Sequence, residues 1–281
     1  MAHEKLLDLY SDYLISAFGQ TTASGLSALL NGEISHDSVQ RFLAGERRTS
    51  AHLWCVSKPY VRKIESPAGV LIVDDSIAEK PYTDENDLIC WHYAHSQQRH
   101  VKGINFVTCL YHNAGISLAV GFELIAKTEP YTDPKDGKNK RRSPKTKNEI
   151  YREMTQQAVR NQIQFKYVLN DVWFAAADNM NFVKHTLKKD FVMPIKTNRK
   201  VALSLSAKQN GHYQRVDTLV LEPMQPVTIY LAEVEFPLLL VKQVFTNEDG
   251  STGILYLVTS DTTLSGSGIS TIYQKRWNVE P

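Results

Sequence analysis

"VLIVDD", residues 70–75, decides how the rest of this chain is read. Val70, Leu71, Ile72 and Val73 run without a polar break and then meet two aspartates. A continuous apolar run of this kind is a strand buried on both faces of a sheet, and it ends on acidic side chains. The same texture recurs at "FKYVLND", residues 165–171, which closes on Asp171. Side chains at the carboxyl ends of neighbouring parallel strands converge on one crevice. The two stretches therefore predict a sheet with parallel members and an acidic site at its edge.

Outward from this pair, "SPAG" at 66–69 punctuates the chain just before the first strand. "INFVTCLYHNAGISLAVGFELI" (104–125) predicts a hairpin around His112-Asn113-Ala114-Gly115. Between 127 and 147 lie eight Lys or Arg and almost nothing apolar, the pattern of a solvated, flexible loop. "NEIYREMTQQAVRNQI" and "AADNMNFVKHTLKK" predict helices, and "DFVMPI" another strand. A hairpin followed by strand–helix alternation predicts an α/β layer with a mixed sheet. Residues 197–260 break the alternation: five apolar, β-branched stretches separated by turns predict an all-β insertion without a helix. Residues 1–65 read as short helices, one closed by Gly32 and the next starting at Ser35 as N-cap and stopped by Gly45. That series fits either a helix-turn-helix or a plain helical bundle.

Composition narrows the class. The chain has 281 residues, 42% hydrophobic and 22% charged, enough to bury a real core. A formal net charge of +2 is too small to argue for nucleic acid by itself. Cys55, Cys90 and Cys109 are far apart and form no metal-binding pair, which predicts three reduced thiols. "MAHEKLLDLYSD" has neither the apolar core nor the cleavage site of a signal peptide. The longest apolar runs, "AGVLIV" and "FPLLLV", are far too short to cross a bilayer. These features lead us to expect a soluble, cytoplasmic protein.

The chemistry-bearing residues are Asp74, Asp75, Asp171 and Glu280, the last on a helix that also carries Tyr273 and Arg276 on the same face. Carboxylates delivered from two strands and one helix can hold two hard cations. Mg²⁺ takes oxygen ligands, and a pair of such ions promotes in-line phosphoryl displacement. The bland alternative is that each acid caps a helix or begins a turn, and Asp171 does precede a helix.

"VLIVDDS", "YVLNDVWF" and "YQKRWNVE", in this order, resemble the three catalytic blocks of bacterial insertion-sequence transposases of the DDE type. The resemblance is to the subgroup with a Y-x2-R-x3-E signature. It covers residues 66 to the end, and the helical N-terminus fits the family's end-binding region more loosely. It implies a ribonuclease H-like catalytic domain over 66–281, with the β insertion before the last catalytic helix, and a DNA-binding region over 1–65. It further implies Asp74, Asp171 and Glu280 as catalytic metal ligands, with Asp75 the alternative to Asp74, because one residue of register turns a strand side chain to the other face. Tyr273 and Arg276 would grip DNA phosphates, with Lys138, Lys140, Arg141 and Arg142 as further phosphate contacts. The implied cofactor is a pair of Mg²⁺ ions, for which Mn²⁺ can substitute. The implied partners are double-stranded DNA and a second copy of the chain, and the implied location is the nucleoid. In the family the last helix continues past its glutamate and carries a further lysine. Here the sequence stops at Pro281, which led us to expect a truncated copy with weak or no catalysis. The alternative function is then a non-catalytic DNA-binding protein that inhibits full-length partners.

Three other groups are weaker candidates. His92, His95 and His100 lie near Cys90, but zinc needs a fourth ligand at suitable spacing, so a polar loop is expected there. Asp261 closes "LYLVTSD" and reads as a turn residue or a substitute ligand. Trp173 reads as core packing beneath the site, with a base-stacking role as the alternative. No Gly-rich phosphate loop is present.

Overall fold

The computed structural model describes residues 2–19, 21–45, 48–94, 97–135, 137–246 and 250–277. Four helices come first: α1 (Ala2–Ser16), α2 (Ala23–Leu29), α3 (His36–Leu43) and α4 (Ser50–Ile64). The hydroxyls of Thr22 and Ser35 accept the backbone N–H groups of Gly25 and Ser38, which satisfies donors that the first turn of a helix leaves unpaired. Compact packing divides the chain into Met1–Thr49 and Ser50–Pro281. The first unit buries Leu26 and Val39, and the rings of Tyr10 and Phe42 meet edge-on between α1 and α3. The fourth helix of the N-terminal series belongs to the second unit. It buries Ser57 and Val61, and the Ser50 hydroxyl at its start accepts the N–H of Phe122 at 3.1 Å.

The second unit continues with β1 (Val70–Glu79), β2 (Ile89–Ala94), β3 (Arg99–Asn113), β4 (Ile116–Leu124), β5 (Glu129–Thr132) and β6 (Asn139–Arg142). Next come α5 (Lys147–Arg160), β7 (Tyr167–Asn170), α6 (Ala177–Asn181) running into a π-helical turn at Phe182–Thr186, and β8 (Asp190–Ile195). The last part holds β9 (Lys200–Val201), α7 (Leu205–Gln209), β10 (Gln214–Arg215), β11 (Val227–Ile229), β12 (Leu238–Thr246), β13 (Thr252–Thr259) and α8 (Gly266–Trp277).

Nine strands form one sheet in the order β11-β12-β13-β8-β7-β1-β3-β2, with β4 also paired to β3. The pairs β1–β7 and β7–β8 are parallel, and the other ladders of this sheet are antiparallel. This is the ribonuclease H-like mixed sheet with flanking helices that the sequence predicts. Strand alternation splits the core into two layers. Leu71, Val73 and Val168 face a cluster that includes Ile150, Tyr151 and Ala158 of α5. Val70, Ile72 and Leu169 face a smaller cluster that includes Ile269 and Tyr273 of α8. The predicted hairpin is present too, with Ala114 and Gly115 both at positive φ, as a two-residue turn of the favoured twist requires.

Four details depart from the sequence reading. First, β1 does not end at Asp75 but runs on to Glu79, because the long partner β3 keeps pairing with it down to Gly103. Second, the basic segment is not a structureless loop: β5 and β6 pair as a two-stranded hairpin. Third, the stretch around His92 contributes strand β2 rather than a loop. Fourth, the β-rich segment contains the short helix α7, and its strands β11, β12 and β13 extend the main sheet through β8.

Candidate active site

Local pairing creates the site. The parallel β1–β7 ladder stops at Val73↔Asn170, and the next residue on each strand is an aspartate, Asp74 and Asp171. Beyond that point β1 continues on β3 alone, so the sheet opens on the β7 side into a cleft of about 750 Å³. Asp74, Asp75 and Asp171 each offer a carboxylate oxygen there, and these oxygens lie within 4.8 Å of one another. It is the one such group of potential metal ligands among the described residues.

Alternation assigns the two neighbouring aspartates different surroundings. Asp74 follows Val70 and Ile72 on the α8 face, where Arg276 Nη2 lies 3.1 Å from its Oδ2. Its Oδ1 accepts the N–H of Asp75 at 2.9 Å. Asp75 follows Leu71 and Val73 on the α5 face and forms an ion pair with Lys147, in the first turn of α5. The start of α5 is fixed by a capping box, in which Thr146 and Glu149 satisfy each other's backbone N–H groups.

Asp171 faces neither cation directly. Its Oδ1 accepts the N–H groups of Trp173 and Phe174 at 3.0 and 3.4 Å, so the turn reading of this residue is also realised. Burial pushes its carboxyl up to about 6, and the charges of Asp74 and Asp75 push in the same direction. The Trp173 N–H and Arg276 pull it back. Three crowded carboxylates with an all-oxygen donor set are what a hard divalent cation relieves, and the residues present fit Mg²⁺ or Mn²⁺.

The other predicted residues are distributed as follows. Glu280 lies outside the described residues. Tyr273 is 3% exposed, and its hydroxyl donates to the carbonyl of Asn170 at 3.3 Å, beneath the end of β7 rather than on the surface. Lys138, Lys140, Arg141 and Arg142 are exposed on the hairpin and are not among the residues lining the cleft. Lys140 pairs with Asp133, Arg141 with Asp87 and Glu85, and Arg142 with Glu129. His95 lies outside the described residues. His92 Nε2 sits 3.4 Å from Cys90 Sγ, and burial, together with Lys127 and Lys147, lowers its pKa to about 4. His100 packs edge-on against Tyr93. The three cysteines are free.

Asp261 is excluded as a ligand of this cleft. Strand β13 runs antiparallel to β8, so its end lies by Asp190 at the start of β8, at the opposite edge of the sheet from Asp171. There Asp261 accepts the hydroxyl of Tyr167 and pairs with Lys166. Trp173 is not core packing either: it is 49% exposed and lines the cleft. Sequence reasoning missed Lys147, although its place just after the Thr146 cap could have flagged it.

A family model described as DDE superfamily endonuclease matches residues 2–217. The chain belongs to that family. The match contains Asp74, Asp75 and Asp171, while α8 lies beyond it. Among solved structures, this DDE-family chain is similar to endonuclease V from Bacillus subtilis, at 10% identity and a TM-score of 0.31, over 83% of this chain and 84% of that one. It is also similar to a chain of the Mos1 strand transfer complex, at 13% identity and a TM-score of 0.23, over 67% of this chain and 56% of that one. Both likenesses are too remote to bear on function. No curated protein matches. No helix among the described residues is long and apolar enough to cross a membrane.

Proposed function

We propose that the chain is a DNA transposase that cuts the ends of an insertion sequence and joins the freed 3′ hydroxyl to target DNA. The observation that carries this reading is the convergence of Asp74, Asp75 and Asp171 where the β1–β7 ladder stops, in a chain of the DDE superfamily endonucleases. Asp74 and Asp171 are the preferred catalytic ligands, since both stand at the first position past the ladder and on the face that α8 covers. Glu280 is the proposed third ligand, and Asp75 is held in reserve by Lys147. A bound pair of Mg²⁺ or Mn²⁺ ions would supply an activated water or hydroxyl and stabilise the leaving oxygen.

The rest of the chemistry belongs to the protein. Arg276 offsets the charge of Asp74, and its planar fork suits an incoming phosphate. Tyr273 holds the end of β7, and with it Asp171, at the depth of the cleft. The exposed cations of the β5–β6 hairpin are proposed to contact double-stranded DNA, and residues 1–65 to recognise the element ends. Action as a homodimer on paired ends, in the cytoplasm at the nucleoid, completes the proposal.

The test is incubation of the chain with labelled element-end DNA in Mg²⁺, Mn²⁺ or EDTA, with Asp74→Asn and Asp171→Asn as controls. Metal-dependent nicks and joined products, lost in both variants, are the expected result. Nicks without joined products would reduce the reading to a nuclease. Binding without any cleavage would return the chain to the non-catalytic alternative.

A further inference from the structure

Asp171 stands past the end of the sheet that delivers it. The β1–β7 ladder stops at Asn170, and the β7–β8 ladder stops at Leu169. The N–H groups of Trp173 and Phe174 tie its carboxylate, but they belong to the same turn and travel with it. The place of that turn must therefore be fixed from outside. On the α8 side, Tyr273 reaches the carbonyl of Asn170. On the α5 side, the anchor runs through the Asn170 side chain.

Asn170 is fully buried at the end of an apolar strand, where an amide costs free energy unless its polar atoms are met. Both are. Its Oδ1 accepts the hydroxyl of Tyr151 at 3.1 Å, and its Nδ2 donates to the carbonyl of Asp171 at 2.7 Å. Turning the amide over would set two carbonyl oxygens against each other, so the Tyr151 hydroxyl is the donor. Burial pushes that hydroxyl's pKa far up and keeps its proton in place. The Tyr151 ring stacks on Phe174, with centroids 5.3 Å apart and planes 21° apart. The buried Asn179 amide ties the Phe174 carbonyl to Asn148 and Arg152 of α5. Helix α5 thus holds the turn at two points, the peptide that leaves Asp171 and the residue that closes on its carboxylate.

We propose that Asn170 and the Tyr151 hydroxyl are positioning residues: together they set the Asp171 carboxylate where it can share a divalent cation with Asp74. Neither touches the cation or DNA. Tyr151 orients the amide, the amide fixes the peptide after Asp171, and that peptide fixes the direction of the side chain. Groups that orient a metal ligand from behind govern metal affinity nearly as strongly as the ligand itself. The inference rests on the metal-site reading of the acidic cleft and adds what holds the one ligand that lies beyond both ladders.

The experiment measures Mn²⁺ affinity by calorimetric titration of the full chain, at a temperature where circular dichroism shows each variant folded. Melting in EDTA reads stability separately. Asn170→Ala should weaken Mn²⁺ binding about tenfold or more. Tyr151→Phe keeps the ring on Phe174, deletes only the hydroxyl, and should weaken binding severalfold. The double variant should bind no worse than Asn170→Ala alone, because the hydroxyl acts through the amide. The control is Thr155→Val, which removes another buried hydroxyl of α5, one bonded to the Tyr151 and Arg152 carbonyls. It should lower the melting temperature in EDTA and leave Mn²⁺ affinity as in the parent. If Asn170→Ala does not fold, Tyr151→Phe against Thr155→Val decides alone. Parent-like affinity in Tyr151→Phe, or an equal loss in Thr155→Val, would overturn the positioning role and leave the metal site intact. A parent that binds no Mn²⁺ would remove the metal-site reading, and the positioning role with it.

Discussion

Arg276 reaches from α8 onto Asp74 at the face of the sheet it covers: its guanidinium lies 3.1 Å from the carboxylate, and the two residues belong to the last described helix and the central strand. The arginine side chain is only 11% exposed, so this contact is made largely out of water. With Lys147 on Asp75, it offsets the charge of a cluster of three acids. Removing the guanidinium leaves Asp74 crowded by Asp75 and Asp171. Arg276→Ala should therefore destabilise the metal-free protein by roughly 2–3 kcal/mol, somewhat below the cost of breaking a fully buried pair. Added Mg²⁺ should restore most of the loss. Thermal melts in EDTA and in Mg²⁺ measure both; equal losses in the two conditions would mean that the arginine acts by packing alone.

Asp171 should behave in the opposite sense. Among the described residues it is the member of the cluster that forms no ion pair, and burial and the neighbouring carboxylates both disfavour its charge. Asp171→Asn removes the repulsion and keeps the shape, so the variant should melt higher than the parent in EDTA, by roughly 2–4 °C for each kcal/mol relieved. It should also lose the stabilisation that divalent metal gives the parent, since a ligand that binds only the folded state raises its melting temperature. A variant that melts lower in EDTA would show that the turn contacts to Trp173 and Phe174 outweigh the repulsion.

Tyr273 links α8 to the end of β7. Its hydroxyl donates to the Asn170 carbonyl, one residue before Asp171, while its ring lies in the apolar layer with Ile269. Tyr273→Phe keeps the ring and deletes one hydrogen bond, at a cost of about 0.5–1.5 kcal/mol. If the bond sets the depth of Asp171, DNA cleavage should fall well beyond what that small loss of stability explains. Parent-like turnover per folded molecule would reduce Tyr273 to packing.

The legible part of this fold was the part whose partners leave a mark in the sequence itself. Val70–Val73 and Tyr167–Asn170 are buried on both faces, so they carry unbroken apolar runs, and their acids fall where the ladder ends. What the run could not tell was which of Asp74 and Asp75 faces α8. That depends on the pleat, which only the pairing with β3 and β7 reveals. The length of β1 was hidden for the same reason: residues 76–79 are exposed or half-exposed and stay in the sheet because β3 is long enough to pair with them. The β5–β6 hairpin has no apolar alternation to announce it, and cross-strand contacts such as Arg142–Glu129 align it instead. The exposure of Trp173 follows from a turn geometry that Asp171 sets through backbone N–H groups, and no spacing of residue types encodes that.

Asp261 offers a test at the other end of the sheet. Its side chain is buried at 7% exposure. One oxygen accepts the Tyr167 hydroxyl at 2.8 Å and pairs with Lys166 at 2.9 Å, and the other accepts the hydroxyl and N–H of Thr263 at 2.6 and 3.1 Å. Burial alone would raise this carboxyl, but these donors hold it well below the ordinary carboxylate range. The folded pKa therefore lies below the unfolded one, near 3.9. The stabilisation is fully present above the unfolded value and is lost as pH falls through the folded one. Asp261→Asn should cost roughly 2–3 kcal/mol at neutral pH, as expected for hydrogen bonds to a charged group. The gap in melting temperature between parent and variant should hold steady down to about pH 5 and close below about pH 4. Because Asp261 sits away from the acidic cleft, the variant should keep the parent's full stabilisation by Mg²⁺. A gap that persists undiminished in acid would contradict the charged network, and loss of the Mg²⁺ response would return Asp261 to the metal site from which the β13–β8 pairing separates it.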